Sequence, residues 1–392
     1  MLSIFGLASA MFVGFFLLSD VNRMLDFDKC HEKHDRIYRV ISDHIIYDNF
    51  RQPLVPYILA TKMKQDFPEV EAVARYSIIP GVIGRVFVNK DDEFVDERQF
   101  YCADREIFDI LTIPLISKES ESFLSEPSLV VLSKDMAVKY FNEPNPVGKM
   151  LEIRTMGKIQ QLRVSAIMEN FPENSTFQAD FIVNTDFYLN MFRKDYSNLE
   201  QTIQSWSFDQ INLILLLKED ASEVGTNSKL DHLISSIEGL EDYKYYLQKL
   251  TDVYLFSQDI HNDFIEKGEI SDLYVFTAIA LLILLVASIN YIIITTARLS
   301  LRHKEIGIKK VFGISTQSIM VQIIIESTLV ALFSLLFAVI LVFIFKDHSD
   351  LFLMNKVIYL GNNTLKVFIL FIGLALIIGI LSGLYISFQV TL

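Results

Sequence analysis

The sequence predicts an α+β extracytoplasmic domain inserted between a first transmembrane helix and a bundle of three more, four membrane spans in all. Three observations predict it. Hydrophobic residues are 51% of the 392, and their excess is concentrated in four runs, residues 2–18, 273–297, 319–345 and 367–388. A helix needs roughly 17–25 apolar residues to cross a bilayer, and each run meets or nears that length. Between the first and second runs lies a polar block, residues 20–271, which mixes helical and strand periodicities. The expected organisation is therefore 1–19 as span one, 20–271 as an α+β domain in one lobe or two, and 272–392 as the remaining membrane domain. A mean hydropathy of +0.34 and a net charge of −13 exclude an ordinary soluble enzyme, a disordered chain and a nucleic-acid binder with a basic surface.

The first run is the shortest and begins at the initiator Met. A secretory signal would have a basic segment before the apolar stretch and a small-x-small cleavage site after it. No basic residue precedes Leu2, and Ala8-Ser9-Ala10 lies inside the run, so it reads as an anchor. Gly6, Ala10 and Gly14 recur every four residues and line one helix face, which suits close helix packing. Gly379 and Gly383 repeat that spacing in the last run. The third run carries one ionisable residue, Glu326. A carboxylate there needs a partner, neutralisation or interfacial water, and Arg298 or Lys309 could supply the partner.

Orientation follows from the connections. Residues 298–318 hold Arg298, Arg302, Lys304, Lys309 and Lys310 against the single acid Glu305. The positive-inside rule puts this segment in the cytoplasm and the 20–271 block outside. That block has 27 Lys+Arg and 43 Asp+Glu, a balance that keeps it soluble.

Within the block, Ile58, Leu59, Met63 and Phe67 predict a helix over residues 56–70, ended by Pro68. Residues 85–95 predict a hairpin turning at Asn89-Lys90-Asp91-Asp92. Residues 128–132 predict a strand, after which Ser133 caps a helix through Phe141. Further strands are expected at 161–167, 181–184 and 210–217, and a helix at 230–240 with Gly239 near its end.

Catalytic motifs are absent from the sequence. It has no phosphate-binding G-x-x-x-x-G-K-[ST] loop and no H-E-x-x-H. Cys30, His31 and His34 are metal-ligand types, but no second ligand pair accompanies them, and local hydrogen bonding is the simpler reading. Cys30 and Cys102 are the only cysteines and could pair outside the cytoplasm. The chain reads as a non-enzyme without cofactor or metal.

Several strings occur in an order that resembles one family. Asp26-Phe27-Asp28-Lys29-Cys30-His31 precedes Asp35-Arg36-Ile37-Tyr38-Arg39-Val40, and Phe67-Pro68-Glu69-Val70-Glu71 follows. Then come Pro127-Ser128-Leu129-Val130-Val131-Leu132-Ser133, Lys139-Tyr140-Phe141, Asn145-Pro146-Val147-Gly148-Lys149 and Phe171-Pro172-Glu173-Asn174-Ser175. Ser288-Ile289-Asn290 leads to Thr296-Ala297-Arg298 and to Arg302-His303-Lys304-Glu305-Ile306-Gly307-Ile308-Lys309-Lys310, then Gln322 and Glu326. From about residue 26 onward the chain resembles MacB/FtsX-type permeases of ABC transporters, in their Bacteroidetes-like form. The resemblance implies a MacB-like periplasmic core domain and an FtsX-like permease domain in the bacterial inner membrane. Asn142 departs from the family's usual Gly, and Tyr385-Ile386-Ser387 lacks its usual Pro. Relatives extend beyond both ends of this chain, and many repeat the whole unit, so a half-length permease or a fragment is expected.

From residues alone, Ile308, Val311 and Phe312 share a helical face flanked by Lys304, Lys309 and Lys310, with Gly313 at the helix end. Such a helix could rest on anionic lipid or dock on a protein. The resemblance implies the second. Arg302, Lys304, Glu305, Ile308, Lys309, Lys310, Val311 and Phe312 would then form the coupling segment for a separate ATPase subunit, which would bind ATP and Mg. The other implied partners are a second permease protomer (identical or homologous), membrane lipid, and a periplasmic adaptor or a peptide or lipoprotein substrate; no nucleic acid is expected. The implied function is mechanotransmission for export or extraction of peptides, antibiotics or lipoproteins. The alternative is a membrane-anchored receptor whose ectodomain binds an envelope ligand.

Overall fold

The structure is a computed structural model, and it describes residues 2–46, 50–79, 84–193, 198–299, 303–346 and 364–391. The chain forms two compact units. Met1–Leu25 and Ile270–Leu392 form one, and Asp26–Glu269 forms the other.

The membrane unit contains four long apolar helices, Leu2–Leu25, Ile270–Leu299, Thr316–Lys346 and Thr364–Thr391. At 1.5 Å per residue each is long enough to span. The first continues past the expected boundary at residue 19 and closes on a charged turn, where Arg23 Nε donates to Asp20 at 2.8 Å. Leu7, Met11 and Phe15 pack with Leu284, Leu335, Ala338 and Phe371 in a core. Leu282, Ile293, Phe333, Phe343, Leu381 and Phe388 are exposed, as expected of helices that are apolar on all sides and solvated by lipid.

The other unit is built on one sheet of fourteen described strands, a single hydrogen-bonded layer. Its main path runs Tyr243–Lys249, Ile37–His44, Ile211–Leu217, Val70–Ile78, Phe100–Ala103, Phe181–Val183, Leu129–Ser133, Lys158–Met168, Met150–Thr155, Val86–Lys90 and Glu93–Glu97. Both faces are covered. Leu213 and Leu215 join Val40, Met63, Phe100, Phe181 and Tyr188 on one side. Ile214 and Leu216 join Ile37, Tyr76, Tyr101 and Ile182 on the other. Ile211–Leu217 is therefore a central strand buried on both faces, which explains its unbroken apolar run.

Local chemistry sets the element ends. The hairpin pairs Val86↔Glu97 through Lys90↔Glu93, and Asp91 and Asp92 both take positive φ, the requirement of a tight two-residue turn. Ser133 Oγ accepts from the Met136 N–H and caps Lys134–Phe141. Asn142 ends that helix in the left-handed region at φ 54°, which Asn tolerates better than other side chains do, so it can stand where relatives carry Gly. Two helices differ from expectation. The first is Ile58–Asp66 and no longer, because Phe67 precedes a proline and leaves the helical region at φ −116° and ψ 88°, and Val70 opens the strand Val70–Ile78. The second is Glu223–Ser235, capped by Ser222; Gly239 lies in the turn beyond it at φ 89°. Cys30 and Cys102 are both free thiols, so the sequence-level disulfide option is not realised.

Candidate functional site

The cationic segment forms a helix, His303–Val311, between the second and third spans. Phe312 N–H still bonds Ile308 O, and Gly313 at φ 83° reverses the chain, its N–H donating to Lys310 O at 3.0 Å. Gly adopts that conformation without a Cβ penalty. The apolar side of the helix faces outward: Ile308 is 58% exposed, Val311 87% and Phe312 81%. Lys310 is exposed, and Lys309 is half-buried with its Nζ donating to Gln322 Oε1 at 3.3 Å. That bond fastens the short helix to the start of span three. Lys304 and Glu305 lie on the helix backbone; Arg302 lies outside the described residues.

Glu326 sits one turn beyond Gln322 and is exposed on the outside of the helix unit. Two residues that flank it on the same helix, Ile324 and Thr328, meet the last span. A Cβ added to Gly379 would lie 2.6 Å from Thr328 Cα, and one on Gly383 would lie 2.7 Å from Ile324 Cα. Only glycine permits this approach. Gly14 packs at ordinary contact distance on Leu284 of the second span, Gly6 approaches Asn290, and Ala10 is buried.

A second set of residues emerges only from the structure. The segments that join the sheet unit to the first two spans are each fixed to it by buried polar and aromatic contacts. Asp28, at φ 58°, donates its N–H to Asn174 O at 2.7 Å and is fully buried. Its Oδ1 accepts from Thr176 N–H at 2.8 Å and Ser175 Oγ at 3.1 Å. Asn174 Nδ2 donates to Asp26 O at 2.8 Å. The two family-like strings around Asp28 and Asn174 therefore interlock across almost 150 residues of chain. Burial pushes the Asp28 carboxyl up to about 7 and the Cys30 thiol to about 12. Burial pushes His31 down to about 4.

On the other side, Arg39 is 1% exposed. Its guanidinium donates to Gln248 Oε1 at 2.8 Å, Ser257 Oγ at 2.9 Å and Asp263 Oδ2 at 3.0 Å. Lys267 Nζ also reaches Asp263, at 3.4 Å. Arg51 bonds Asp43 and Asp259. Phe27 stacks on Tyr254 with ring centroids 3.6 Å apart, and Gly268 lies against the same Tyr254 ring, where a Cβ would come within 2.3 Å. Residues 254–268 lead into the second span. The clue in the sequence was Arg39 itself, a cation set among Ile37, Tyr38, Val40 and Ile41.

Ser175, His31 and Asp28 include the residue types of a hydrolase triad, but they are wired as a brace. The Thr112 N–H donates to His31 Nδ1 at 3.3 Å, so the ring proton belongs on Nε2. Nε2 meets Ser175 Oγ at 3.4 Å and therefore donates to it. Ser175 donates its own O–H to Asp28 Oδ1, and the imidazole lone pair on Nδ1 is already taken by Thr112, so the ring cannot accept the serine proton. His34 turns its ring to His31 O at 2.9 Å, away from the His31 ring. Among the described residues no three His, Cys, Asp or Glu side chains converge as metal ligands.

Four spanning helices with a mixed α+β unit inserted after the first define a multi-pass membrane protein with a large domain on one side. The family model of the MacB-like periplasmic core domain matches residues 1–233, and that of the FtsX-like permease C-terminal domain matches residues 277–391. The chain belongs to the MacB/FtsX-type permease family. It is an inner-membrane permease subunit of the ABC transporter class, with the sheet unit in the periplasm. Three solved structures are similar to it. A domain of a permease protein from Porphyromonas gingivalis is 17% identical, with 56% of this chain and 92% of that one covered and a TM-score of 0.45. The periplasmic region of MacB from Actinobacillus actinomycetemcomitans is 13% identical, over 56% and 90%, with a TM-score of 0.39. The extracellular domain of the ABC-type transporter YknZ from Gram-positive bacteria is 15% identical, over 54% and 99%, with a TM-score of 0.37. A comparison with curated proteins finds no match.

Proposed function

We propose that this permease transmits motion from a separate ATPase subunit to its periplasmic unit, and that the work on substrate is done in the periplasm. The observation that carries the reading is helix His303–Val311, which the positive-inside rule assigns to the cytoplasm. Its Ile308, Val311 and Phe312 side chains are exposed beside Lys310, a surface that fits an apolar cleft with acidic margins on a protein partner. ATP and Mg would be held by that partner. Closure of the ATPase pair would push the helix, and the Lys309–Gln322 bond would pass the push to span three. Close contact at Gly379 and Gly383 would carry it to span four. On the periplasmic side, the Arg39–Asp263 and Asp28–Ser175 contacts would keep the segments adjoining spans one and two from slackening. A second permease protomer would complete the transporter, and the substrate class would be peptides, antibiotics or lipoproteins.

The test is to purify the tagged full chain from its native membranes in mild detergent and identify what accompanies it. An ABC-type ATPase should co-purify, and Lys309→Glu/Lys310→Glu should abolish that while leaving the amount of chain in the membrane unchanged. Undiminished ATPase capture and activity in this variant would remove the coupling role.

A further inference from the structure

We infer that the periplasmic unit carries an open sheet edge at residues 158–162 that accepts an extended, uncharged polypeptide segment as an added strand. The inference concerns this unit alone and stands whether or not the cytoplasmic helix docks an ATPase. Strand Lys158–Met168 is paired along its full early half with Met150–Thr155, from Thr155↔Lys158 to Met150↔Arg163. On its other side the ladder with Leu129–Ser133 begins only at Arg163↔Leu129, and Leu115–Lys118 pairs only from Ala166 onward. Among the described residues, 158–162 therefore has a strand partner on one side alone.

The hydrogen-bond phase fixes which groups face the open side. Met156 and Gly157 both take positive φ, so Thr155 and Lys158 close a two-residue hairpin and point their backbone groups at each other. Arg163 N–H points the opposite way and donates to Ser128 O at 2.8 Å. Backbone direction alternates along an antiparallel strand, so Ile159 and Gln161 turn both N–H and C=O to the same side as Arg163.

A cavity of about 400 Å³ occupies that side. Pro127 and Ser128 bound it where the neighbouring chain turns away, and Phe187, Asn190 and Met191 of helix Thr185–Phe192 form its far wall. Thr155 also lines it, and the Thr155 Oγ1 is buried without a hydrogen-bond partner. A buried hydroxyl left unpaired is costly, and a ligand amide or carbonyl would satisfy it. The side chains suit a polypeptide: thioether and aromatic groups from Met156, Met191 and Phe187 for apolar side chains, and the Asn190 amide for polar ones. Among the described residues Lys158 is the only charged one on the wall, so the added segment should be uncharged. Ile159, 58% exposed, gains cover from an added strand. Main-chain bonds supply affinity in strand addition, and pockets for alternate side chains supply selectivity.

The experiment uses the purified full chain in lipid nanodiscs and a fluorescent, terminally blocked peptide of alternating valine and serine. Binding is read by anisotropy, and amide hydrogen exchange with and without peptide locates it. The expected result is saturable binding with slowed exchange at Ile159 and Gln161. The same peptide N-methylated at alternate residues, and the variant Gln161→Pro, should each bind at least about 10-fold more weakly. Thr155→Val should weaken binding without lowering the unfolding temperature, and removal of the unpaired hydroxyl should if anything raise it, which separates loss of the site from loss of fold. No binding up to about 1 mM peptide overturns the inference. Equal binding of the N-methylated peptide, or protection confined to other strands, overturns it as well.

Discussion

Arg39 and Lys310 are both cations close in the chain to membrane spans, and both have aromatic neighbours, yet they live in opposite environments. Arg39 is enclosed by Gln248, Ser257 and Asp263, with the Tyr76 hydroxyl also against it. Lys310 and the ring of Phe312 stand in the open on a helix of nine residues. The first region satisfies itself within the chain. The second leaves its apolar side for something else to cover. Both fall in strings that resemble the same family, so the resemblance alone does not separate a stabilising cluster from a contact surface, whereas burial does.

That contrast predicts a ranking of effects on stability. Arg39→Met should be the most severe, because it leaves the Asp263 carboxylate buried with only Lys267 nearby; breaking one partner of a buried pair costs about 3–5 kcal/mol. Chemical unfolding of the purified chain would measure it, and a loss under about 1 kcal/mol would mean that the pair is solvated. Gly379→Val follows. It forces a side chain into the Thr328 backbone, and overpacking of this kind costs about 1–3 kcal/mol, read as loss of the folded form in graded denaturing detergent.

The Asp28–His31 contact predicts a smaller, pH-dependent effect. Asp28 holds its proton more tightly in the fold than in the unfolded chain. Its contribution is therefore full in acid and is lost as pH rises through about 7. His31 behaves in the opposite sense: its contribution is full above about 6.5 and is lost as pH falls through about 4. The two slopes oppose each other between those limits, so the natural protein should change little there. Arg39 acts on Asp28 and His34 on His31 without reversing either shift. Asp28→Asn should leave the His31 slope exposed, with stability rising with pH at up to about 1.4 kcal/mol per unit. His31→Gln should expose the reverse slope. Melting temperatures across pH 4–7 would decide it, and parallel profiles for all three proteins would show that neither group is buried as described.

The mildest effect on stability belongs to Phe312→Ala. An exposed side chain with no built surroundings should shift unfolding by under about 0.5 kcal/mol. The same variant should weaken ATPase capture. A large fall in stability would instead mean that Phe312 packs within the chain.

Much of this architecture could be read from the sequence. The spans were visible by length alone, the Asp91-Asp92 hairpin by its turn residues, and the Ser133 cap by its position before a helical run. These features are local, and their physics is complete within a dozen residues. The strand Ile37–His44 was not legible as a strand, because Arg39, Ser42 and Asp43 interrupt its apolar pattern, and all three are buried. What makes them tolerable there is Gln248, Ser257, Asp263 and Arg51, three of which lie more than 200 residues away. The Phe67-Pro68 boundary was misplaced because helical spacing continues past a residue that the following proline keeps out of the helical region. The cytoplasmic helix was legible as amphipathic; what covers it is not encoded in its own periodicity.

The partners of Arg39 also fix an order of events during biogenesis. The ribosome delivers Arg39 early and Asp263 last of all the sheet unit's buried charges, only a few residues ahead of the second span. Until that carboxylate arrives, the strand Ile37–His44 would have to bury an unmatched guanidinium, which is strongly unfavourable. The periplasmic unit thus cannot close before its return segment has been translocated, and a nascent chain stalled short of residue 263 would stay open to chaperones and proteases.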